Sequence, residues 1–384
     1  MSSAADPTAA FLAALQASRL LAPPQFESLA AWAAQARPDV KGLAVEINRL
    51  GWLTPFQIKE VFRGRGKDLI LDRYVLLDLL GEGGMGRVYK VHNTRLGRDE
   101  ALKVIRKEKL THPAAGARFD QEMQALGKLK HPNVVTAYDA GPLGDTHFVS
   151  MEFIDGADLT RMVRERGPLP LAAACEYVRQ AALGLHHAHE MGMVHRDIKP
   201  SNLLVTRDGR TVKLVDLGLA RLAEAAEGGT RLTQEGFVIG TPDFLAPEQA
   251  RNPGAVDIRA DVYALGATLF YVLTGKVPYE GANPTEKLLK HCNDPPPRLL
   301  PLRPDTPPQL EQIVDWCMAK RPQDRPQTPL QLAMALQPFC PPPAAGAPPV
   351  GSGGYGFPAA YAPGAPAAPV PSVAPPRPVP PGRR

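Results

Sequence analysis

The stretch His195-Arg196-Asp197-Ile198-Lys199-Pro200-Ser201-Asn202 gathers a carboxylate, two cations and a carboxamide into one short loop. Asp197 can accept or orient the proton of an attacking hydroxyl, Lys199 can face a transferring phosphoryl group, and Asn202 can hold a metal ion. Phosphoryl transfer requires those three roles within a few ångströms of one another. His195 reads as a packing and hydrogen-bonding residue rather than the base. Arg196, beside the base, suits a clamp for a phosphate carried on another loop.

Further pieces of the same chemistry lie elsewhere in the chain. Asp216-Leu217-Gly218 follows the apolar strand Val212-Lys213-Leu214-Val215, and a carboxylate at a strand end beside a glycine can swing onto Mg²⁺. Asn202 and Asp216 are therefore the candidate ligands for Mg²⁺, with Mn²⁺ as an alternative ion. Gly81-Glu82-Gly83-Gly84-Met85-Gly86-Arg87-Val88 lies between two strand patterns, and side chains at Gly81, Gly83 or Gly86 would keep backbone amides away from phosphates. Alone, this pattern equally fits a ligand-free hairpin. The strand that follows argues against a dinucleotide-binding turn, which needs a helix next.

Lys103, in Ala101-Leu102-Lys103-Val104, occupies an otherwise apolar strand. Such a lysine is costly unless its ammonium meets anions, here nucleotide phosphates and a helix carboxylate. Glu122 is the favoured carboxylate, because its helix carries Phe119, Met123, Leu126 and Leu129 toward the body; Glu100 and Asp120 are the alternatives.

These residues need a scaffold, and the hydrophobic pattern describes one. Residues 1–7 are small and polar and read as disordered. From Phe11 to about Gly64 the pattern gives short helices, the last opening at Thr54-Pro55-Phe56-Gln57. There the hydroxyl can cap free amides, proline fits the first helical position, and glutamine can reach back. A module of about 60 residues barely buries enough surface alone, so residues 8–72, a helical accessory module and linker, are expected to lean on the next domain. Arg63, Arg65 and Lys67 read as a solvated linker.

Strand-like alternation begins near Leu71, with strands near 87–92, 99–105, 135–140 and 147–152 and a helix near 115–129. After Gly156 the chain reads mostly helical, at 159–165, 171–190, 257–274, 284–290, 308–319 and 328–337, with short strands near 203–205 and 212–215. The expected fold is α+β, a sheet-rich small lobe and a helical large lobe over residues 73–340. From Pro341 to Arg384, proline, alanine and glycine dominate, which predicts an extended, disordered tail. Recognition of that tail by a proline-binding partner is the functional alternative.

The 384 residues exceed one ordinary core, and 44% apolar content supports two units plus tails. Net charge is +5, and Arg377, Arg383 and Arg384 lie in the tail, so the body is nearly balanced and no nucleic-acid footprint is expected. Cys175, Cys292, Cys317 and Cys340 form no CxxC spacing or zinc cluster, which points to a reduced, cytoplasmic setting. The N-terminus shows no basic region ahead of an apolar run, and the chain holds no long unbroken apolar stretch. Neither a signal peptide nor a membrane span is expected.

Taken in order, the glycine loop, Ala101-Leu102-Lys103, Glu122, His195-Arg196-Asp197 through Asn202, Asp216-Leu217-Gly218 and Ala246-Pro247-Glu248 resemble the eukaryotic-like (Hanks-type) Ser/Thr protein kinase family over about residues 74–338. The resemblance implies a bilobal kinase fold binding ATP between its lobes, with Lys103 on the phosphates. It implies Met151 as gatekeeper, Glu152 to Ile154 as the adenine-binding hinge and Asp158 as the ribose contact. Val88 and Ala101 would roof the adenine and Leu204 would floor it. Glu248 resembles the partner of Arg325 in a buried pair, and Asp261 the central-helix aspartate that braces the catalytic loop. Two positions depart from the pattern: Leu217, where the family usually has phenylalanine, and Leu102, where it has isoleucine. Gly51-Trp52-Leu53-Thr54-Pro55-Phe56-Gln57 ahead of the catalytic region also resembles kinases of planctomycete-type bacteria.

Lys199 together with Gly240-Thr241-Pro242 looks like the Ser/Thr rather than the Tyr pattern, with Thr241 shaping the acceptor pocket. Thr230 and Thr233, between Leu219 and Ile239, are candidate autophosphorylation sites whose phosphate would pair with Arg196. The resemblance thus implies protein substrates, self-association for trans-autophosphorylation and a place in bacterial signalling. A pseudokinase scaffold is disfavoured because Lys103, Asp197, Asn202 and Asp216 are all present. A small-molecule kinase is disfavoured by Ala246-Pro247-Glu248.

Overall fold

A computed structural model describes residues 6–106, 115–144, 146–217, 242–252, 254 and 256–342. The segments expected to be disordered, 1–7 and 341–384, lie outside those residues apart from 6, 7, 341 and 342; Pro7 opens the first helix. Thr230, Thr233, Gly218, Gly240 and Thr241 also lie outside them.

The chain opens with α1 (Pro7–Ser18), α2 (Pro23–Ala36), α3 (Val40–Arg49) and α4 (Pro55–Phe62). Side chains begin three of these helices. Asp6 accepts from the amide of Thr8, Asp39 from Gly42, and Thr54 from Gln57. The Thr54 and Gln57 box is reciprocal, since the Thr54 amide also donates to Gln57 Oε1 at 3.0 Å. Arg63 and Arg65, expected as linker charges in water, both pair with Glu60 at 3.2 and 2.6 Å. A 3₁₀ turn (Gly66–Leu69) and the short β1 (Ile70–Leu71) then deliver the chain to the sheet.

That sheet is antiparallel and six-stranded, in the order β1-β2-β3-β4-β6-β5. Its other strands are β2 (Tyr74–Gly83), β3 (Gly86–Asn93), β4 (Arg98–Ile105), β5 (Ala137–Leu143) and β6 (Thr146–Glu152), with α5 (Ala115–Gly127) between β4 and β5. Strand periodicity divides the two faces. Leu102 and Phe148 point into a core made with Leu15, Leu43 and Ile47 of the N-terminal helices. Their neighbours Ala101 and Val149 point instead into the core that contains Phe119, Met123 and Leu126 of α5. The helical module thus shares a hydrophobic core with the outer face of the sheet, and both fall in one compact unit ending at Pro341.

The large lobe follows: β7 (Gly156–Asp158), α6 (Leu159–Arg166), α7 (Leu171–Glu190), β8 (Leu203–Thr206), β9 (Val212–Leu214), α8 (Pro247–Arg251), α9 (Ile258–Thr274), α10 (Pro284–Asn293), α11 (Pro308–Cys317) and α12 (Pro329–Leu336). Helix α9 is buried along almost its whole length, as befits a helix apolar on every side. A three-stranded sheet, β7-β8-β9, lies on this lobe, and its β8 directly follows the 195–202 segment. The architecture is the bilobal α+β fold expected from the sequence, with a small helical module ahead of it.

Candidate active site

The glycine segment forms the tip of the β2–β3 hairpin, with Gly81 opposite Val88 and Gly83 opposite Gly86. Its glycines serve different ends. A Cβ at Gly81 or Gly83 would meet open space, which leaves room for a ligand to approach the backbone. A Cβ at Gly86 would fall 2.0 Å from the carbonyl oxygen of Val104, so that glycine is demanded by the neighbouring strand β4. Below the hairpin, Val88 lies opposite Lys103, and Ala101 opposite the gatekeeper candidate Met151. Leu204 of β8 faces Asp158 of β7 in register. Asp158 also caps α6, accepting the amide of Arg161 at 2.9 Å.

Lys103 is 5% exposed, and its ammonium donates to Asp216 Oδ1 at 2.8 Å. Among the described residues no ion pair joins Lys103 to Glu122, which sits half-buried on α5. Burial acts to raise the Asp216 pKa, but the charge and hydrogen bond of Lys103, with His195 and Lys199 beyond, outweigh it and hold the carboxyl below its ordinary value. Asp216 adopts a left-handed backbone, φ 63°, two residues after strand β9. Such a conformation is uncommon for a non-glycine residue and is tolerated where surrounding contacts enforce it.

The 195–202 segment is held just as firmly. Arg196 also has a left-handed backbone, φ 65°. Both the His195 and Arg196 amides donate to the carboxylate of Asp261 on α9, each at 2.8 Å. His195 is buried, and its Nε2 lies 2.9 Å from the carbonyl of Val215. With these anchors in place, Asp197 Oδ2 accepts from Lys199 Nζ at 2.8 Å and from Asn202 Nδ2 at 3.2 Å. Asn202 Nδ2 also donates to the Asp197 carbonyl at 2.7 Å, and the Asn202 carbonyl accepts the Val215 amide at 3.1 Å. That last bond joins the 195–202 segment to the residue just ahead of Asp216.

The donor set fits a hard divalent cation. The amide nitrogen of Asn202 is committed to Asp197, which leaves its Oδ1 as the coordinating atom, and Asp216 brings a carboxylate held in its charged form. Two such oxygens together with phosphate oxygens and water match the preference of Mg²⁺ or Mn²⁺.

Several contacts escaped the sequence reading. Lys213 Nζ donates to Glu152 Oε2 at 2.8 Å, so the Glu152 side chain turns toward Lys213 and the Thr136 amide. A lysine in an apolar strand was the signal there, the same one that marks Lys103. Gln249 Nε2 donates to the Arg196 carbonyl at 2.8 Å, and Lys287 pairs with Asp243 at 2.6 Å. Nothing local in the sequence announces either contact.

Comparison with known proteins agrees with this geometry. A family model described as protein kinase domain matches residues 74–337. The chain is 37% identical over 269 residues to serine/threonine-protein kinase PknB of Mycolicibacterium smegmatis, covering 69% of this chain and 42% of that protein. It is 35% identical over 260 residues to serine/threonine-protein kinase pkn3 of Myxococcus xanthus, covering 66% of this chain and 47% of that protein. The chain therefore spans less than half the length of these curated relatives. The crystal structure of the Mycobacterium tuberculosis PknI kinase domain superposes with a TM-score of 0.57 at 26% identity, covering 71% of this chain and 98% of that one. On the matched residues and the shared fold, the chain belongs to the protein kinase domain family, and it is similar to Hanks-type serine/threonine kinases of bacteria.

Proposed function

We propose that the chain is an ATP-dependent protein kinase that transfers the γ-phosphate to serine or threonine hydroxyls of protein substrates. The observation that carries this reading is the convergence on Asp197 Oδ2, which accepts from both Lys199 and Asn202. Those two donors fix the carboxylate where an acceptor hydroxyl would meet it, and Asp197 orients that hydroxyl and takes its proton. Side-chain exposures of 38% for Asp197 and 33% for Lys199 leave the pair open to a substrate. Lys103 holds the α- and β-phosphates, and Lys199 steadies charge gathering on the γ-phosphoryl oxygens. Asn202 and Asp216 would hold Mg²⁺, which when bound neutralises phosphate charge. Val88, Ala101 and Leu204 enclose the adenine, the Glu152 to Ile154 backbone binds its edge, and Asp158 meets the ribose.

Regulation follows from the same reading. Phosphate on Thr230 or Thr233 brings about −1.5 to −2 units of charge, and Arg196 is its partner. Self-association then supplies one chain as substrate for another, and the proline-rich tail recruits a partner in bacterial signalling. The likeness of the N-terminal module to that of planctomycete-type kinases rests on Gly51 to Gln57 alone. Among the described residues no helix is long and apolar enough to cross a membrane. Radiolabel transfer from ATP to a generic acceptor protein, compared with Asp197→Ala, tests the activity. Equal transfer by the two proteins would overturn it. Phosphopeptide mapping after ATP treatment tests Thr230 and Thr233, and a double alanine variant of full activity would remove their regulatory role.

A further inference from the structure

The cap of helix α4 does more than begin a helix. Strand β2 pairs with β1 only as far as Val75, so among the described residues its outer edge beyond that point has no strand partner. In a regular strand successive carbonyls point to opposite edges. Here the register between β2 and β3 shifts between Leu76 and Asp78, which leaves Leu77 without a partner on β3. Such a bulge re-aims the backbone. The carbonyls of both Leu76 and Leu77 consequently face α4. Thr54 Oγ1 donates to the Leu77 carbonyl at 2.6 Å, and Gln57 Nε2 donates to the Leu76 carbonyl at 2.8 Å. The same two side chains cap the helix with their acceptor atoms, so each is used in both directions at once. Gln57 is 3% exposed, and water does not compete for its bond. The ring of Phe56 on α4 lies 6.2 Å from that of Tyr89 on β3, and Tyr89 pairs with Leu79 of β2.

A few residues beyond the bulge, β2 becomes the glycine-rich hairpin. A bulge raises local twist and bends its strand, so this one, together with a second register shift between Leu79 and Gly81, sets where Gly81 and Gly83 lie over the site. The geometry points to Thr54 and Gln57 as positioning residues for nucleotide. They lock the β2 bulge and hold the glycine-rich hairpin in its ligand-binding pose, making the N-terminal module a working part of the nucleotide site. This rests on the kinase reading above.

The test uses the full chain with Thr54→Val, Gln57→Leu, the pair combined, and Thr54→Ser. Four quantities are measured: the dissociation constant of ATP by calorimetry, KM for ATP, KM for an acceptor peptide, and the thermal unfolding midpoint. The combined variant is expected to weaken ATP binding by about threefold or more and to raise KM for ATP alike, in keeping with two lost hydrogen bonds. KM for the peptide stays at the wild-type value, and Thr54→Ser, which keeps the hydroxyl, restores ATP affinity. An unchanged ATP dissociation constant in the folded combined variant overturns the assignment. Equal rises in both KM values also overturn it, because they report general loosening. Should the combined variant unfold at the assay temperature, Thr54→Val alone, which preserves volume, is judged by the same two criteria. Wild-type chain that binds no ATP overturns the kinase reading itself. Wild-type binding with unaffected variants overturns only the positioning role.

Discussion

Arg325 grips Glu248 through two parallel hydrogen bonds of 2.6 and 2.8 Å, its guanidinium wholly shielded from solvent. The remaining donors are satisfied by the carbonyls of Ala319, Arg259 and Lys320, and the guanidinium lies over the ring of Tyr263 at 4.9 Å. One cation thus ties α8 to α9 and to the loop after α11. Removing it strands a carboxylate and three carbonyls, whereas neutralising Glu248 leaves one acceptor in place. Arg325→Met is expected to lose about 3–5 kcal/mol of unfolding free energy. Glu248→Gln should lose about 1–3 kcal/mol. Urea denaturation of the two variants measures the order, and a Glu248→Gln loss equal to or above that of Arg325→Met would contradict it.

Asp197→Asn keeps the shape of the side chain and an acceptor for Lys199 while removing the proton-accepting carboxylate. Turnover is expected to fall by about 10²- to 10⁴-fold. ATP affinity and the unfolding midpoint should stay near wild type, because Asp197 supports neither the hairpin nor the core. Single-turnover phosphotransfer beside calorimetric ATP binding separates the two effects. Residual turnover above one-tenth of wild type would remove Asp197 from the base position.

The legible parts of this protein were those whose chemistry is local. Helix α7 was expected at 171–190 and occupies Leu171–Glu190, because twenty residues of periodic apolar spacing leave little choice. Strand β7 and helix α8, with three and five residues, carry too little period to be seen. Strand β5 begins at Ala137 rather than near 135, since Val134 bridges to Leu214 and the Val135 amide donates to the Leu214 carbonyl. At the site, Lys103 stood out as a cation in an apolar strand, and its ammonium meets Asp216, 113 residues away. The apolar face of its helix favours Glu122 from sequence, and only the packing of the two lobes places Asp216 at the ammonium. The double use of Thr54 and Gln57 was half legible: the helix cap is a local pattern, while the bulge it satisfies depends on strand register.

The bracing of the catalytic segment by Asp261 has its own signature. Both carboxylate oxygens accept a backbone amide, so Asp261→Asn would set an amide donor against one of them. Arg196 keeps its left-handed backbone only while those bonds enforce it. Turnover is expected to fall about tenfold or more with ATP affinity near wild type. Parallel measurement of turnover and ATP dissociation checks this, and a matched loss in both would show that Asp261 supports the fold generally.

Acid stability provides the last test. Burial, with His187 and Lys213 nearby, depresses the His131 pKa from 6.5 to about 4, and its Nδ1 accepts the Asn133 amide at 3.1 Å. The unfolded chain therefore binds a proton below 6.5 that the folded chain refuses until about 4, and stability falls as pH drops through that window. Burial depresses His291 further, to about 3, so it adds to the same descent and extends it. Asp216 enters only later: its pKa lies below 3.8, and its contribution is lost as pH falls through that depressed value. Asn at position 131 can present Oδ1 where His131 presents Nδ1, keeping the acceptor and removing the titration. His131→Asn is accordingly expected to flatten the fall of the unfolding midpoint between pH 6.5 and 4 without abolishing it, since His291 remains. The flattening cannot exceed about 1.4 kcal/mol per pH unit, the limit for one proton. Thermal melts across that range measure it, and an unchanged slope would show that protonation of His131 does not drive acid unfolding.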